Sequence, residues 1–144
     1  MEFISLFIFI AGYIIGLGAV TVIDLQGFLA RRSEYWTEAT IRSHKVTKPL
    51  IWIGIFLVVV GWFLFFKEKG GVVPLTMITA FGILILNGIF LSFVVSPYLL
   101  KREKEGLGRE ILSSRFQKKI TISFIISVIG WWGSLALLVY YIVM

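Results

Sequence analysis

The chain contains no cysteine and only one histidine, His44. Without thiols it forms no disulfide, thiolate metal site or iron–sulfur cluster, and it has no cysteine nucleophile. One imidazole excludes a multi-histidine metal site within a single chain. The sequence also lacks G-x-S-x-G, H-E-x-x-H and phosphate-loop motifs. We therefore predict no cofactor, no metal and no enzymatic activity.

Charge is scarce as well. Only 15% of the 144 residues are charged, whereas 58% are hydrophobic and the mean hydropathy is +0.95. A small water-soluble domain leaves much of its surface exposed and cannot hide this much apolar area. Four runs lack charge altogether, at residues 3–23, 50–66, 72–100 and 120–144. A bilayer core of roughly 30 Å needs about 20 helical residues, so each run predicts a membrane-spanning helix.

We predict an all-α integral membrane protein, a four-transmembrane-helix bundle in a single domain covering residues 1–144. The predicted helices lie at about 3–30, 49–66, 72–100 and 115–143, joined by basic segments 31–48 and 101–119. The first segment carries an N-cap signal at Ser33 and an i, i+4 pair, Glu38 and Arg42. Pro49 suits the first turn of the second helix. In the other segment, Gly106 and Gly108 indicate a break.

The basic residues predict the orientation. Twelve of the 14 Lys and Arg residues lie in segments 31–48 and 101–119. The positive-inside rule places both segments in the cytoplasm and both termini outside, in a multi-pass protein of the cell membrane. Because topology explains the net charge of +6, we predict no nucleic-acid partner. Basic residues near the helix ends are candidate contacts for anionic lipid headgroups: Arg31, Arg32, Lys101, Arg102, Lys118 and Lys119.

The two halves of the chain resemble each other. An offset of 70 residues aligns the first basic pair with the second. One hypothesis is that the bundle consists of two parallel helical-hairpin repeats, and the other is chance similarity between apolar spans. The same alignment pairs Gly27 with Pro97, and both residue types weaken a helix. They are candidate hinges beside a site between repeats, or they only let each helix bend as it leaves the bilayer.

Three polar side chains within apolar surroundings are candidate binding residues: Asp24, Gln26 and Asn87. Asp24 lies near the C-terminal end of its helix, where both desolvation and the helix dipole disfavour an anion. It is either a proton or cation site, or half of an ion pair with Arg31, Arg32 or a base of the other segment. Asn87 either bonds to a neighbouring helix or contacts a substrate. Gln26 lies closer to the headgroups.

Small residues indicate where helices pack closely. Gly12 and Gly16 form a GxxxG pattern, which predicts packing within the bundle, with dimerisation as the alternative. We expect His44 to be a solvated loop histidine beside Lys45. A role for His44 as a haem ligand would need the same residue from a second chain.

Three hypotheses about function follow. The first is a non-catalytic accessory or assembly protein that engages the lipid bilayer and a membrane-protein partner. The second is a small transporter or channel with Asp24 as its ionisable group; four helices leave little room for a pore, so this hypothesis implies a homodimer. The third is a haem-carrying electron-transfer subunit. The sequence favours the first hypothesis narrowly over the second.

Overall fold

The computed structural model describes residues 2–144, and within them it contains helices and no strand. There are five α-helices: α1 (Glu2–Leu29), α2 (Glu34–Phe66), α3 (Val72–Phe90), α4 (Ser96–Lys104) and α5 (Ser114–Val143). A 3₁₀ turn, Ala30–Arg32, follows α1. A π-helical turn, Leu91–Val95, joins α3 to α4 without a break.

Four helical stretches are long and apolar enough to cross a bilayer: Glu2–Arg32, Glu34–Phe66, Val72–Lys104 and Ser114–Val143. This confirms the predicted all-helical class and the predicted number of spanning helices. The predicted helices at 3–30 and 115–143 agree with α1 and α5 to within one residue at each end. The duplication of two hairpins stays a prediction.

The predicted boundary between segment 31–48 and the second helix is wrong. α2 begins at Glu34 and continues through Pro49, so only the 3₁₀ turn and Ser33 separate it from α1. The predicted N-cap is confirmed, because the Ser33 hydroxyl accepts the Trp36 N–H at 3.3 Å. After this capped N-terminus, no glycine or proline interrupts the helix before Pro49. Proline removes one donor and can bend a helix without ending it.

The second basic segment is shorter than the predicted 101–119. Helix α4 continues to Lys104, and only residues 105–113 lie between α4 and α5. The predicted break at Gly106 is confirmed, since this residue adopts a φ of +75°, which favours glycine. Arg102 then holds the loop by donating from Nη2 to the carbonyls of Leu107 (3.4 Å) and Glu110 (3.0 Å).

Glycines let α1 and α2 approach each other closely. A Cβ added at Gly12 would lie 2.6 Å from the Val58 backbone nitrogen, and one at Gly61 would lie 2.5 Å from the Phe9 Cα. Gly16 lies directly against the ring of Trp131 in α5. The prediction that Gly12 and Gly16 serve packing within the bundle is therefore confirmed.

The two ends of the bundle differ in how densely their interiors are packed. We call the end with residues 30–33 and 105–113 the basic end, and the end with residues 67–71 the far end. The far half is filled by a cluster that includes Phe9, Tyr13, Phe81 and Trp131. Its rings meet edge to face, with centroids 6.2 Å apart for Phe9–Phe81 and 6.1 Å for Tyr13–Trp131. Free space is left near the basic end.

Candidate functional site

A cavity of about 90 Å³ lies among α1, α2, the π-helical turn and α5 near the basic end. One ordered water needs roughly 10–15 Å³ of such space, so the cavity can hold several waters or a small hydrated ion. Most of its wall is apolar, including Ile41, Val95 and Leu112. The polar residues that line it are Asp24, Thr37, Thr40, His44, Lys48, Trp52, Ser92 and Thr121.

Asp24 faces this cavity without a cationic partner. Its Oδ2 atom is buried and has no hydrogen-bond partner, and the ion pairs among residues 2–144 do not include it. Of the two alternatives for Asp24, the ion pair with Arg31, Arg32 or a base of the other segment is therefore not the one that the structure displays. The Arg31 guanidinium instead lies 4.0 Å above the Phe28 ring, and its Nε donates to the Phe28 carbonyl at 3.3 Å. Both contacts of Arg31 are thus with the Phe28 residue of its own helix turn rather than with Asp24.

His44 also lines the cavity, which corrects the expectation of a solvated loop histidine. It lies on α2 rather than in a loop, because α2 begins ten residues earlier, at Glu34. Its Nε2 atom is buried and has no hydrogen-bond partner in the described chain. Two residues that line the same cavity, one from α1 and one from α2, thus each have a buried polar atom without a hydrogen-bond partner.

Lys48 and Trp52 connect α2 to the π-helical turn. The Lys48 Nζ donates to the Ser92 carbonyl at 3.4 Å, and the Trp52 indole N–H donates to the Ser92 hydroxyl at 3.0 Å. A distance of 3.4 Å is long for such a bond, so the lysine contact is weak. The cavity wall therefore contains one ammonium group that is held only loosely.

Two threonine hydroxyls add acceptors to the wall. Thr40 donates its proton to the Trp36 carbonyl at 2.7 Å, and Thr121 donates its proton to the Gln117 carbonyl at 2.9 Å. Because each proton is used within its own helix, the remaining lone pairs are free to accept. Together with the Asp24 carboxylate, these oxygens suit a proton carried by water or a small cation.

The other two candidate binding residues lie outside the cavity. The Asn87 amide donates to the Ser127 hydroxyl (3.0 Å) and the Ser123 carbonyl (3.2 Å), and its oxygen accepts from the Ser123 hydroxyl (2.8 Å). These bonds join α3 to α5 and are those of a packing residue. The Gln26 Oε1 is buried without a hydrogen-bond partner, but Gln26 does not line the cavity.

The two candidate hinge residues have different surroundings. Gly27 lies within continuous α1 and lines the cavity, with open space where a side chain would be. Pro97 is the second residue of α4 and is separated from the π-helical turn only by Ser96. Only the proline therefore accompanies an irregular helix. The proposed movement at either residue stays a prediction.

The candidate lipid contacts divide by whether an acidic side chain is near. Lys101 lies 3.8 Å from Glu105 and Arg102 lies 3.9 Å from Glu110. The other four have no ion pair among residues 2–144: Arg31, Arg32, Lys118 and Lys119. They lie where α1 ends and α5 begins. The role of all six in lipid contact stays a prediction.

The sequence reasoning missed Lys48, Trp52, Ser92 and Thr121, and it did not place His44 in a site. A signal was present, because residues 44, 48 and 52 recur at i, i+4 and i+8 on one helix face. This spacing is informative only if a helix continues through residue 49. The assumption that Pro49 starts a helix hid the pattern.

Comparison with protein families, with curated proteins and with solved structures finds no match to this chain.

Proposed function

We propose that this chain is a multi-pass membrane protein that binds a proton or a small monovalent cation at Asp24, as part of a transport function. Membrane insertion is supported by the four apolar helices and by large apolar side chains that remain exposed around the bundle. Phe3, Val72 and Phe93 are 79%, 80% and 75% exposed. In water such surface would drive association, whereas lipid tails solvate it without penalty.

The proposed orientation has the basic end in the cytoplasm and both termini outside. The structure gathers the 3₁₀ turn with Arg31 and Arg32, the loop 105–113 and the start of α5 at one end. Lysine and arginine concentrated at one end are typical of a cytoplasmic side. The cavity then faces the cytoplasmic half of the bilayer. Arg31, Arg32, Lys118 and Lys119 contact anionic headgroups, since no acidic side chain of residues 2–144 pairs with them.

The ion-binding proposal rests on one observation: Asp24 lines a cavity that can hold water, and its Oδ2 atom is buried without a hydrogen-bond partner. An ionisable group within a membrane helix is expensive, and it marks an ion or proton pathway by default. The cavity of about 90 Å³ suits an ion and a few waters rather than a metabolite. Carboxylate and hydroxyl oxygens, such as those of Asp24, Thr40 and Thr121, suit a proton or a hard inorganic cation better than a soft transition metal.

The filled far half supports a transporter rather than an open channel. A void within the filled far half measures about 10 Å³, and Val58, Phe81, Leu84 and Trp131 are among its lining residues. Passage from the cavity to the far end therefore requires these side chains to move. The cavity is formed by one chain, so the ion site itself needs no second chain. A homodimer stays a separate proposal.

An accessory or assembly role is the second candidate. It is supported by the same filled far half, because an assembly protein does not need a passage through its bundle. A haem-carrying role gains no support, since a porphyrin is far larger than the cavity that contains His44.

The test is ion flux in liposomes that contain the purified protein. We expect proton or cation flux, measured with an entrapped pH-sensitive or ion-sensitive dye, to fall to the protein-free level in Asp24→Asn. Glu34→Gln is the matched control, because Glu34 is an exposed acid outside the cavity. Equal flux in the wild type and Asp24→Asn would contradict the proposal. Flux at the protein-free level in the wild type, with one stoichiometric membrane partner on purification, would favour the accessory role.

A further inference from the structure

The π-helical turn leaves one backbone carbonyl without a backbone donor. The Ser96 N–H, which would donate to Ser92 in an α-helix, donates instead to the Leu91 carbonyl, five residues earlier. The next donor in that pattern would be residue 97, which is proline and has no N–H. The Ser92 carbonyl therefore receives no hydrogen bond from the residue four positions later, as in an α-helix, or from the residue five positions later, as in a π-helix. A backbone acceptor within a membrane needs another partner.

That partner is Lys48. Its Nζ donates to the Ser92 carbonyl at 3.4 Å, across from α2 to the π-helical turn. Pro97 thus places a cation in the cavity indirectly, by creating the acceptor that holds the lysine. The bond is longer than the usual 2.7–3.2 Å, so the ammonium can leave it at little cost.

Asp24 provides a second place for the same ammonium. Both residues line one cavity, and the lysine ammonium lies on a flexible four-carbon chain. A carboxylate charged and unpaired in these surroundings is costly, and an ammonium that reaches it removes most of that cost. In the structure the two groups are not an ion pair. In the structure the ammonium is therefore in the first of its two proposed positions, at the Ser92 carbonyl.

We propose that Lys48 is a tethered cation that alternates between the Ser92 carbonyl and the Asp24 carboxylate, and that a proton or monovalent inorganic cation binds Asp24 only as Lys48 withdraws. The proposal rests on the ion-binding function proposed above. When the ion binds, the ammonium returns to the Ser92 carbonyl; when the ion leaves, the ammonium takes its place on Asp24. Lys48 is a positioning residue that sets the affinity of the site.

The charged and titratable side chains that line the cavity are few. Asp24 comes from α1, and His44 and Lys48 come from α2. The π-helical turn, α4 and α5 contribute only uncharged side chains to the wall, among them Ser92 and Thr121. A second ammonium that could replace Lys48 is therefore missing from the cavity lining in the part of the chain that the structure describes.

Ion binding can be measured without transport, as the thermal unfolding midpoint of the purified protein in mild detergent. The probes are LiCl, NaCl and KCl, each compared with choline chloride at equal ionic strength, and separately a pH titration. The wild type should show a rise in midpoint with one of the salts, or with falling pH, that is absent in Asp24→Asn. The salt and pH arms distinguish a metal cation from a proton.

Two substitutions should act in opposite directions. Lys48→Met removes the internal competitor, so the ion should bind at a concentration lower by about fivefold or more, the lower end of usual couplings between sites. Pro97→Ala restores an N–H to this turn, which satisfies the Ser92 carbonyl and frees Lys48 to stay on Asp24. Ion binding should then weaken. In a Lys48→Met background, Pro97→Ala should have no effect on the binding concentration.

The controls separate the possible outcomes. Lys45→Met removes an exposed lysine that pairs with Glu103 outside the cavity and should leave ion binding unchanged. Lys48→Arg keeps the tethered charge and should resemble the wild type more than Lys48→Met does. Unchanged helical content by circular dichroism shows that each variant is folded. If Lys48→Met fails this check, Lys48→Gln provides a substitute, since it also removes the ammonium and should strengthen ion binding in the same direction.

Failure of the proposed function and failure of the Lys48 proposal give different experimental results. If the ion-dependent signal persists in Asp24→Asn, the proposed function itself is wrong. If Asp24→Asn abolishes the signal but Lys48→Met binds the ion as the wild type does, the function stands and the role of Lys48 is overturned. An equal effect of Pro97→Ala with and without Lys48 would also overturn it.

Discussion

Asn87 shows how one polar side chain can stabilise a membrane bundle. It lies in the last turn of α3, near the middle of the continuous helical stretch Val72–Lys104. It is 8% exposed and uses both ends of its amide on two serines of α5. Neither lipid nor an apolar core offers a replacement partner, so an unsatisfied amide would be costly. Of the two roles expected for this residue, the bonding to a neighbouring helix is the one that the structure displays.

We expect Asn87→Ala to lower the free energy of unfolding by about 1–2 kcal/mol, because three interhelical hydrogen bonds are lost at a modest value for each. The measurement is unfolding in mixed detergent micelles, followed by circular dichroism. Thr79→Val is the control on the same helix, since the exposed Thr79 hydroxyl bonds only to the Leu75 carbonyl of its own helix. Equal stability of Asn87→Ala and the wild type would remove Asn87 from the packing residues.

Helices α1 and α2 form the closest pair in the bundle, and glycine is the reason. Side-chain hydrogens at Gly12, Gly54 and Gly61 are all that separates the two backbones at these places. Gly18, on the same α1, has no atom within 4 Å of the position that a Cβ would take. On the same helix, Gly12 therefore makes a close contact with α2, whereas Gly18 makes none. The GxxxG pattern includes Gly12 but not Gly18, so the sequence indicates the contact at Gly12.

Gly12→Ala should lower the free energy of unfolding by about 1–3 kcal/mol, the usual penalty for overpacking. The added methyl would meet the Val58 backbone at 2.6 Å, and a backbone atom cannot rotate away as a side chain does. Gly18→Ala should leave stability unchanged or slightly higher, because alanine favours a helix. The same micelle unfolding assay compares the two. A loss of stability in Gly18→Ala equal to that in Gly12→Ala would contradict the assignment of the contact.

At the scale of the whole molecule, polarity follows the long axis. The basic end holds the cavity, the unpaired arginines and lysines, and the loop 105–113, while the far end is aromatic and closed. A bundle with this cavity at one end is asymmetric with respect to a membrane. The side on which that end lies decides from where an ion reaches Asp24.

The orientation can be tested with single cysteines, because the chain has none of its own. Gly70→Cys lies in the turn at the far end and Ile111→Cys in the loop at the basic end, and both positions are exposed. In intact cells a membrane-impermeant maleimide should label Gly70→Cys but not Ile111→Cys, and both should react after permeabilisation. Labelling of Ile111→Cys in intact cells would reverse the proposed orientation.

The sequence by itself determined that the chain is helical, how many helices reach spanning length, and that Asp24 is chemically out of place. These conclusions depend only on local sequence. A charge-free run of about 20 residues and a single carboxylate at the end of such a run are recognisable without knowledge of any tertiary contact. The tertiary structure alone decided what Asp24 faces. It showed that Arg31 turns to Phe28, that His44 and Lys48 share the cavity, and that Pro97 leaves the Ser92 carbonyl to a lysine 44 residues away. Such partners come from different helices, and the register between helices depends on packing that no single segment encodes.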